Sequence, residues 1–245
     1  MTYCVGLLLD AGLVMLSDTR TNAGVDNISV FGKTFIEEKN GERVLALMTA
    51  GNLAVTQAVW NRLQEGVRLE GEVLTLAAAP SMFRAAQLVG AAVREVFEAD
   101  GPGLRAQGIS FDVSILLGGQ IGTAPPRLFL VYAAGNFIEA TADTPFLQVG
   151  EHKYGKPILD RVLNPATPLA DGVTLALISM DSTLRSNLTV GLPIDLTVIR
   201  RDALAVSLKR RITEDDPYFA FLRQRWSESL REAYQALPRP DWLDS

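Results

Sequence analysis

Strand pairs and helix pairs alternate along this chain, and that order narrows its architecture more than any single motif. Thr2 to Leu9 and Leu13 to Thr19 flank Asp10-Ala11-Gly12, and Val30 to Glu38 and Glu42 to Ala50 flank Asn40-Gly41. Both read as hairpins, because Asn and Gly tolerate the positive φ of a two-residue type I′ turn. Two helical stretches follow: Asn52 to Glu65, opened by an Asn N-cap, and Ser81 to Ala99, where Met82, Ala86, Val89, Val93 and Val96 share one face. Ile109 to Leu117, Arg127 to Tyr132 and Asn136 to Ala140, punctuated by Gly-Gly, Pro-Pro and Ala-Gly, read as an antiparallel meander. Helices return from Lys156-Pro157 to about Leu163, and from Thr167-Pro168, taken as N-cap and N1 proline, to Ser186. Ile194 to Arg200 and Leu204 to Lys209 form the last strand pair. Asp215-Asp216-Pro217 then opens an amphipathic helix to about Ala236, with Phe219, Leu222, Trp226, Leu230 and Tyr234 at helical spacing. Antiparallel sheets covered on their outer faces by helix pairs make a four-layer α/β/β/α sandwich, an α+β fold. No Pro/Gly/Ser linker divides the chain, so one domain is expected over residues 1–245, with the helix at 216–236 a candidate for packing between subunits.

Charge and cysteine usage remove several function classes. The 28 acidic and 23 basic residues give a net charge of −5, and no Lys/Arg run is present, which argues against nucleic-acid or anionic-membrane partners. Asp10 interrupts the apolar stretch Cys4 to Leu16, and no run reaches the roughly 20 apolar residues of a membrane span, so a cytoplasmic protein is expected. One cysteine, Cys4, and one histidine, His152, are too few for an internal disulfide or a soft-metal site, and neither metal nor cofactor is expected. Any histidine-based mechanism would run through His152, which lies in Glu151-His152-Lys153-Tyr154-Gly155 with no nucleophile elbow.

A nucleophile that needs no histidine stands at the start of the chain. Thr2 follows Met1, and Thr is small enough for the initiator methionine to be cleared ahead of it. An N-terminal threonine then carries its hydroxyl and its own base, the α-amine, on one residue. Pairing across Asp10-Ala11-Gly12 places Thr2 opposite residues 19–21, beside Asp18, and pairing across Asn40-Gly41 places Lys33 opposite Met48, near Thr49-Ala50-Gly51. Gly51 directly precedes a helix, so its amide can point out of a helix N-terminus toward a developing negative charge.

These segments resemble a known family. Thr2-Tyr3-Cys4-Val5-Gly6, Ser17 through Gly24, Phe31-Gly32-Lys33, Thr49-Ala50-Gly51-Asn52, Val149 through Pro157, and Ser179 through Leu188 are similar to the proteasome-type β-subunits of the N-terminal-nucleophile hydrolases, and most of all to the bacterial Anbu (ancestral β-subunit) branch. The resemblance implies Thr2 as nucleophile, Asp18 as the aspartate that orients the lysine, Lys33 as the cation that lowers proton affinity around the hydroxyl, and Gly51 as the oxyanion amide. Thr21, Asn22 and Gly24 match the segment that pairs with an extended peptide as an added strand. Arg20 is a supporting position, and so is Glu151, which stands where the family usually has the serine of Gly-Ser-Gly. Glu151 either accepts a hydrogen bond from the amine or raises its pKa. The second supporting pair falls on Asp181 with Ser182 or on Thr183 with Ser186, and the sequence leaves that register open. The resemblance also implies a threonine-type peptidase in a homo-oligomeric ring or open helical ring, acting on peptides or unfolded proteins. The alternatives are an assembly protein of weak or no peptidase activity, or an amidase for a specialised peptide-like substrate. No ATPase partner is identifiable.

Overall fold

The computed structural model describes residues 2–22 and 28–243. β1 (Tyr3–Leu9) and β2 (Gly12–Asp18) form the first hairpin, followed by the short pair β3 (Arg20–Asn22) and β4 (Ile28–Val30) and the hairpin β5 (Thr34–Lys39) and β6 (Arg43–Gly51). α1 (Leu53–Glu65), a small pair β7 (Val67–Leu69) and β8 (Glu72–Leu74), and α2 (Met82–Ala106) come next. β9 (Val113–Ile121), β10 (Arg127–Val131), β11 (Phe137–Glu139) and β12 (Phe146–Gly150) lead to α3 (His152–Val162) and α4 (Leu169–Ser186). β13 (Ile194–Arg200), β14 (Leu208–Ile212) and α5 (Pro217–Gln235) complete the order.

Two antiparallel five-stranded sheets result, one in the order β12-β1-β2-β13-β14 and the other β11-β10-β9-β6-β5. Between them lies an apolar layer containing Met15, Met48, Leu116, Leu128 and Ile199, every one of which is at least nine-tenths buried. The outer face of the second sheet is closed by α1 and α2, whose Met82, Ala86, Val89, Val93 and Val96 are buried as their spacing predicts. The outer face of the first is closed by α3 and α4 through residues such as Leu7, Leu159, Ala176 and Met180. This is the α/β/β/α sandwich expected from element order.

Several local expectations are corrected. The Asn40-Gly41 turn is not of type I′: only Gly41 takes a positive φ (77°), Glu42 N donates to Lys39 O, and Lys39 faces Arg43 across three residues. The register therefore shifts by one, so that Thr34 rather than Lys33 faces Met48. Gly118-Gly119 lies inside β9 instead of ending it, because a Cβ on Gly119 would sit 2.3 Å from Val44 O and one on Gly118 2.8 Å from Met15 Sδ. These glycines permit close approach between strands and sheets. Asp202 and Leu204 adopt φ of 63° and 48°, so the last strand starts at Leu208, not Leu204. α2 continues through Pro102 to Ala106, α3 starts at His152 with Pro157 inside it, and Pro168 is the N-cap of α4 rather than its N1 residue. β12, which sequence periodicity did not single out, crosses to the other sheet and pairs with β1. Of the apolar positions on α5 only Phe219 is buried, whereas Leu230 and Tyr234 are 51% and 74% exposed. Among the described residues, no helix is long and apolar enough to cross a membrane, and no group of three His, Cys, Asp or Glu side chains is placed to hold a metal ion.

Candidate active site

Three chain segments meet at the end of the first sheet. The β1–β2 register, Leu9 facing Gly12 through Cys4 facing Ser17, brings Asp18 level with Tyr3, whose amide donates to Asp18 Oδ1 at 3.1 Å. Thr2 is the residue before. Lys33 precedes β5, and its carbonyl accepts from Thr49 N at 3.1 Å, which fixes the lysine beside the exit of β6. Its ammonium donates to Asp18 Oδ1 at 2.6 Å and to Arg20 O at 2.7 Å. Asp18 Oδ2 accepts from Gly191 N at 3.4 Å, a contact from the segment after α4 that the sequence did not announce.

Burial gives this pair its character. Asp18 is 0% and Lys33 4% exposed. Burial pushes the Asp18 carboxyl above the usual carboxylate range, while the adjacent Lys33 ammonium and the amides of Tyr3 and Gly191 oppose that rise. An ammonium has three protons, and the third on Lys33 has no partner among the described residues. Burial likewise pushes the Cys4 thiol up, which keeps it a neutral packing group.

Thr2 and Lys33 line one cavity of about 350 Å³. Thr2 is 7% exposed, and no described residue engages its hydroxyl. Gly51 lines the same cavity at φ 111°, directly ahead of Asn52, which caps α1 by accepting from Ala54 N at 3.0 Å and Val55 N at 3.4 Å. A Cβ at Gly51 would lie 2.2 Å from Asp112 O, so only glycine fits this corner. From the opposite side, β12 pairs Gly150 with Tyr3, and Glu151 N donates to Thr2 O at 2.8 Å. Glu151 thereby lines the same cavity wall as Thr2. Its neighbour His152 lies outside this wall, with Nδ1 3.0 Å from Gly150 O.

The remaining candidates divide. Arg20 and Thr21 line the cavity, and Arg20 Nη1 donates to Leu188 O at 2.8 Å. The Asn22 side chain and Gly24 lie outside the described residues. Asp181 is not in the cavity wall: its buried carboxylate accepts from Arg223 Nε at 2.6 Å and Arg185 Nε at 3.3 Å, fastening α5 to α4. Thr183 Oγ1 donates to Ser179 O and Ser182 Oγ to Ile178 O, each within α4, and Ser186 is exposed at its end. Helical periodicity turns these side chains onto α4 or α5, which the motif spacing could not reveal. Asp181→Ala is expected to lower stability by about 1–2 kcal/mol, short of a fully buried pair because both arginines keep solvent. Limited trypsinolysis should then cut α5 at Arg223 or Arg225 sooner than in the parent protein, and an unchanged digest would contradict the fastening role.

Sequence reading missed Gly191, and also Asp112 and Ser114 at the start of β9, which line the cavity. It also missed β12, although Phe146 to Gly150, bounded by Pro145 and Gly150, carries a short-strand signal.

Two helix-covered antiparallel sheets with a buried lysine–aspartate pair beneath the second residue place the chain in the proteasome-like class. No family model and no curated protein matches it. Solved structures do. A Gly-1 mutant of Anbu from Hyphomicrobium sp. strain MC1 is 50% identical, covering 98% of this chain and 100% of that one, with a TM-score of 0.90. Anbu from Yersinia bercovieri is 49% identical over 98% and 99% of the two chains, with a TM-score of 0.89. The Anbu complex from Pseudomonas aeruginosa, solved as a helical assembly, is 49% identical over 97% and 98%, with a TM-score of 0.90. The chain belongs to the Anbu (ancestral β-subunit) family.

Proposed function

We propose that this chain is a threonine-type amide hydrolase acting on peptides or unfolded protein segments, with Thr2 as nucleophile once Met1 is removed. The observation that carries the reading is the Thr2 hydroxyl, on a residue 7% exposed and unpartnered among the described residues, on the wall of a cavity that Lys33 and Gly51 also line. The freed α-amine, with an ordinary pKa of about 7.7–8.0, is held neutral by the nearby Lys33 ammonium and takes the hydroxyl proton. Thr2 Oγ1 attacks the amide carbon, and the Gly51 amide stabilises the oxyanion at the N-terminus of α1. The amine passes its proton to the leaving nitrogen, leaving an ester on Thr2. Water, deprotonated by the same amine, then releases the acid. Asp18 keeps Lys33 charged and in place throughout.

The assembly reading is a homo-oligomer, a ring or an open helical ring, as the Pseudomonas aeruginosa relative supports. α5 carries Phe221, Leu230 and Tyr234 at 63%, 51% and 74% exposure, and we assign it to packing between subunits of one folded domain. A second reading, an amidase or a weakly active assembly protein, draws on Glu151, whose carboxylate beside the amine favours its charged, non-basic form.

Intact-mass measurement after treatment with a peptide epoxyketone separates these. Protein lacking Met1 is expected to gain one probe per chain, and Thr2→Ala none. Equal labelling of both, or none of either, would count against nucleophilic chemistry at Thr2.

A further inference from the structure

We infer that the cavity in front of Thr2 selects peptides that carry a cationic side chain, of the lysine or arginine type, close to the amide presented to Thr2; the inference rests on the assignment of Thr2 for which bond is cleaved, but not for the binding preference. Four charged residues line this cavity: Arg20, Lys33, Asp112 and Glu151. Lys33 is neutralised by Asp18 at 2.6 Å. Arg20 is held on the wall by donating to Leu188 O at 2.8 Å, and packs on Gly191 so closely that a Cβ there would lie 2.1 Å from its Nε. Two carboxylates are left over.

Neither side chain accepts a hydrogen bond within the described part of the chain. The Glu151 side chain is 12% exposed and accepts no hydrogen bond; its nearest cation, Lys153 Nζ, is 3.9 Å away and 67% exposed. A donor entering the cavity would complete it. Asp112 is exposed at the rim, and its side chain also has no partner. The two residues reach the cavity from different elements: Glu151 follows β12, and Asp112 precedes β9, with its backbone against the corner occupied by Gly51. A second observation shows that the space is built for a ligand. The Thr2 hydroxyl, on a residue 7% exposed, lines the same cavity and is likewise unpartnered. A cation held by Asp112 and Glu151 therefore lies in the same cavity as that hydroxyl.

The wall is not purely acidic. Thr21, Thr49, Thr56 and Ser114 offer hydroxyls, and Leu53 an apolar surface against which the methylene stem of a lysine or arginine can pack. An anionic side chain would meet two carboxylates that accept no hydrogen bond from the described residues, and a neutral aliphatic one would leave Glu151 with only the exposed Lys153 at 3.9 Å.

The test reads binding without turnover. Full-length Thr2→Ala protein is titrated with fluorescent peptides, N-acetylated and C-amidated, in which one position in turn is Lys, Arg, norleucine or Glu, and anisotropy gives the affinities. At 50 mM salt, Lys and Arg peptides are expected to bind about 10-fold tighter than the norleucine peptide at one position, with Glu weakest, and the ratio should shrink at 0.5 M salt. Adding Asp112→Asn or Glu151→Gln should each reduce the ratio about threefold, and both together should bring it near one. Equal affinity for Lys and norleucine at every position, or a preference that survives the double change, would overturn the inference. Loss of preference with Glu151→Gln alone and none with Asp112→Asn would overturn the two-carboxylate site in favour of a single one. The outcome is independent of the epoxyketone experiment: labelling of Thr2 without cation preference refutes this inference alone, and cation preference without labelling refutes the nucleophile.

Discussion

Lys33→Ala is expected to abolish epoxyketone labelling at Thr2 and to destabilise the fold by about 3–5 kcal/mol, because it strands the Asp18 carboxyl in a site with 0% exposure. Among the described residues, only the amides of Tyr3 and Gly191 then remain as donors to it. The loss has a pH signature. Lys33 opposes the upward push of burial on Asp18 in the parent protein, so without it the folded-state pKa rises further above the unfolded value of about 3.9. The folded variant then binds a proton that the unfolded chain has released, and stability falls as pH rises through that window, by about 1.4 kcal/mol per unit for one proton. Chemical denaturation of Lys33→Ala at pH 5 and pH 8 should show the larger deficit at pH 8. A deficit that is flat with pH would mean that Asp18 stays charged without its partner. Labelling that survives would mean that Lys33 is only structural.

Gly150→Ala is expected to have the second-largest effect. Gly150 ends β12 at φ 79°, and a Cβ there would lie 1.8 Å from Thr2 O, the carbonyl that also accepts from Glu151 N. The substitution cannot be relieved by a rotamer change, because the obstructing atom is backbone. Thr2 must move. A displacement on the order of 1 Å is enough to reduce chemistry about 100-fold, and the left-handed φ adds about 1–2 kcal/mol of strain. Gly41→Ala isolates the second effect: φ is 77° there, but nothing lies within 4 Å of the added Cβ. A larger loss of stability in Gly150→Ala than in Gly41→Ala, with loss of labelling only in Gly150→Ala, is the expected pattern. Equal labelling rates in the two would show that the nucleophile tolerates the shift.

The layer order was readable from periodicity because each element buries one face, and burial imprints period 2 or 3.6 on the residues that line it. The stripe Met82, Ala86, Val89, Val93 and Val96 is such an imprint. Turn geometry was less readable. Asn40-Gly41 satisfies the composition of a two-residue turn, yet Asn40 keeps a negative φ, and the loop takes one residue more. Gly118-Gly119 looked like punctuation because composition cannot distinguish a glycine that breaks a strand from one that lets another backbone approach.

Within the site, the local contributions were visible and the long-range ones were not. The β1–β2 hairpin puts Asp18 beside the start of the chain through a two-residue turn, so the amino-acid order alone came close to that contact. Which groups complete the site depended on how distant segments pack. Gly191 reaches Asp18 from beyond α4, Glu151 reaches Thr2 because β12 leaves one sheet for the other, and Asp112 meets Gly51 through the β6–β9 pairing. Asp181 shows the converse. Its place in the motif suggested the site, but the face of α4 that carries it turns toward Arg223 on α5. The chain's order thus specified the sandwich and the place of Asp18 beside Thr2, because these follow from periodicity and short turns, whereas the Asp18–Lys33 pair was implied by the resemblance and the turn reading placed Lys33 one position off. The shape and charge of the cavity were decided by the folded structure, since contacts between residues far apart along the chain leave no periodic trace in the sequence.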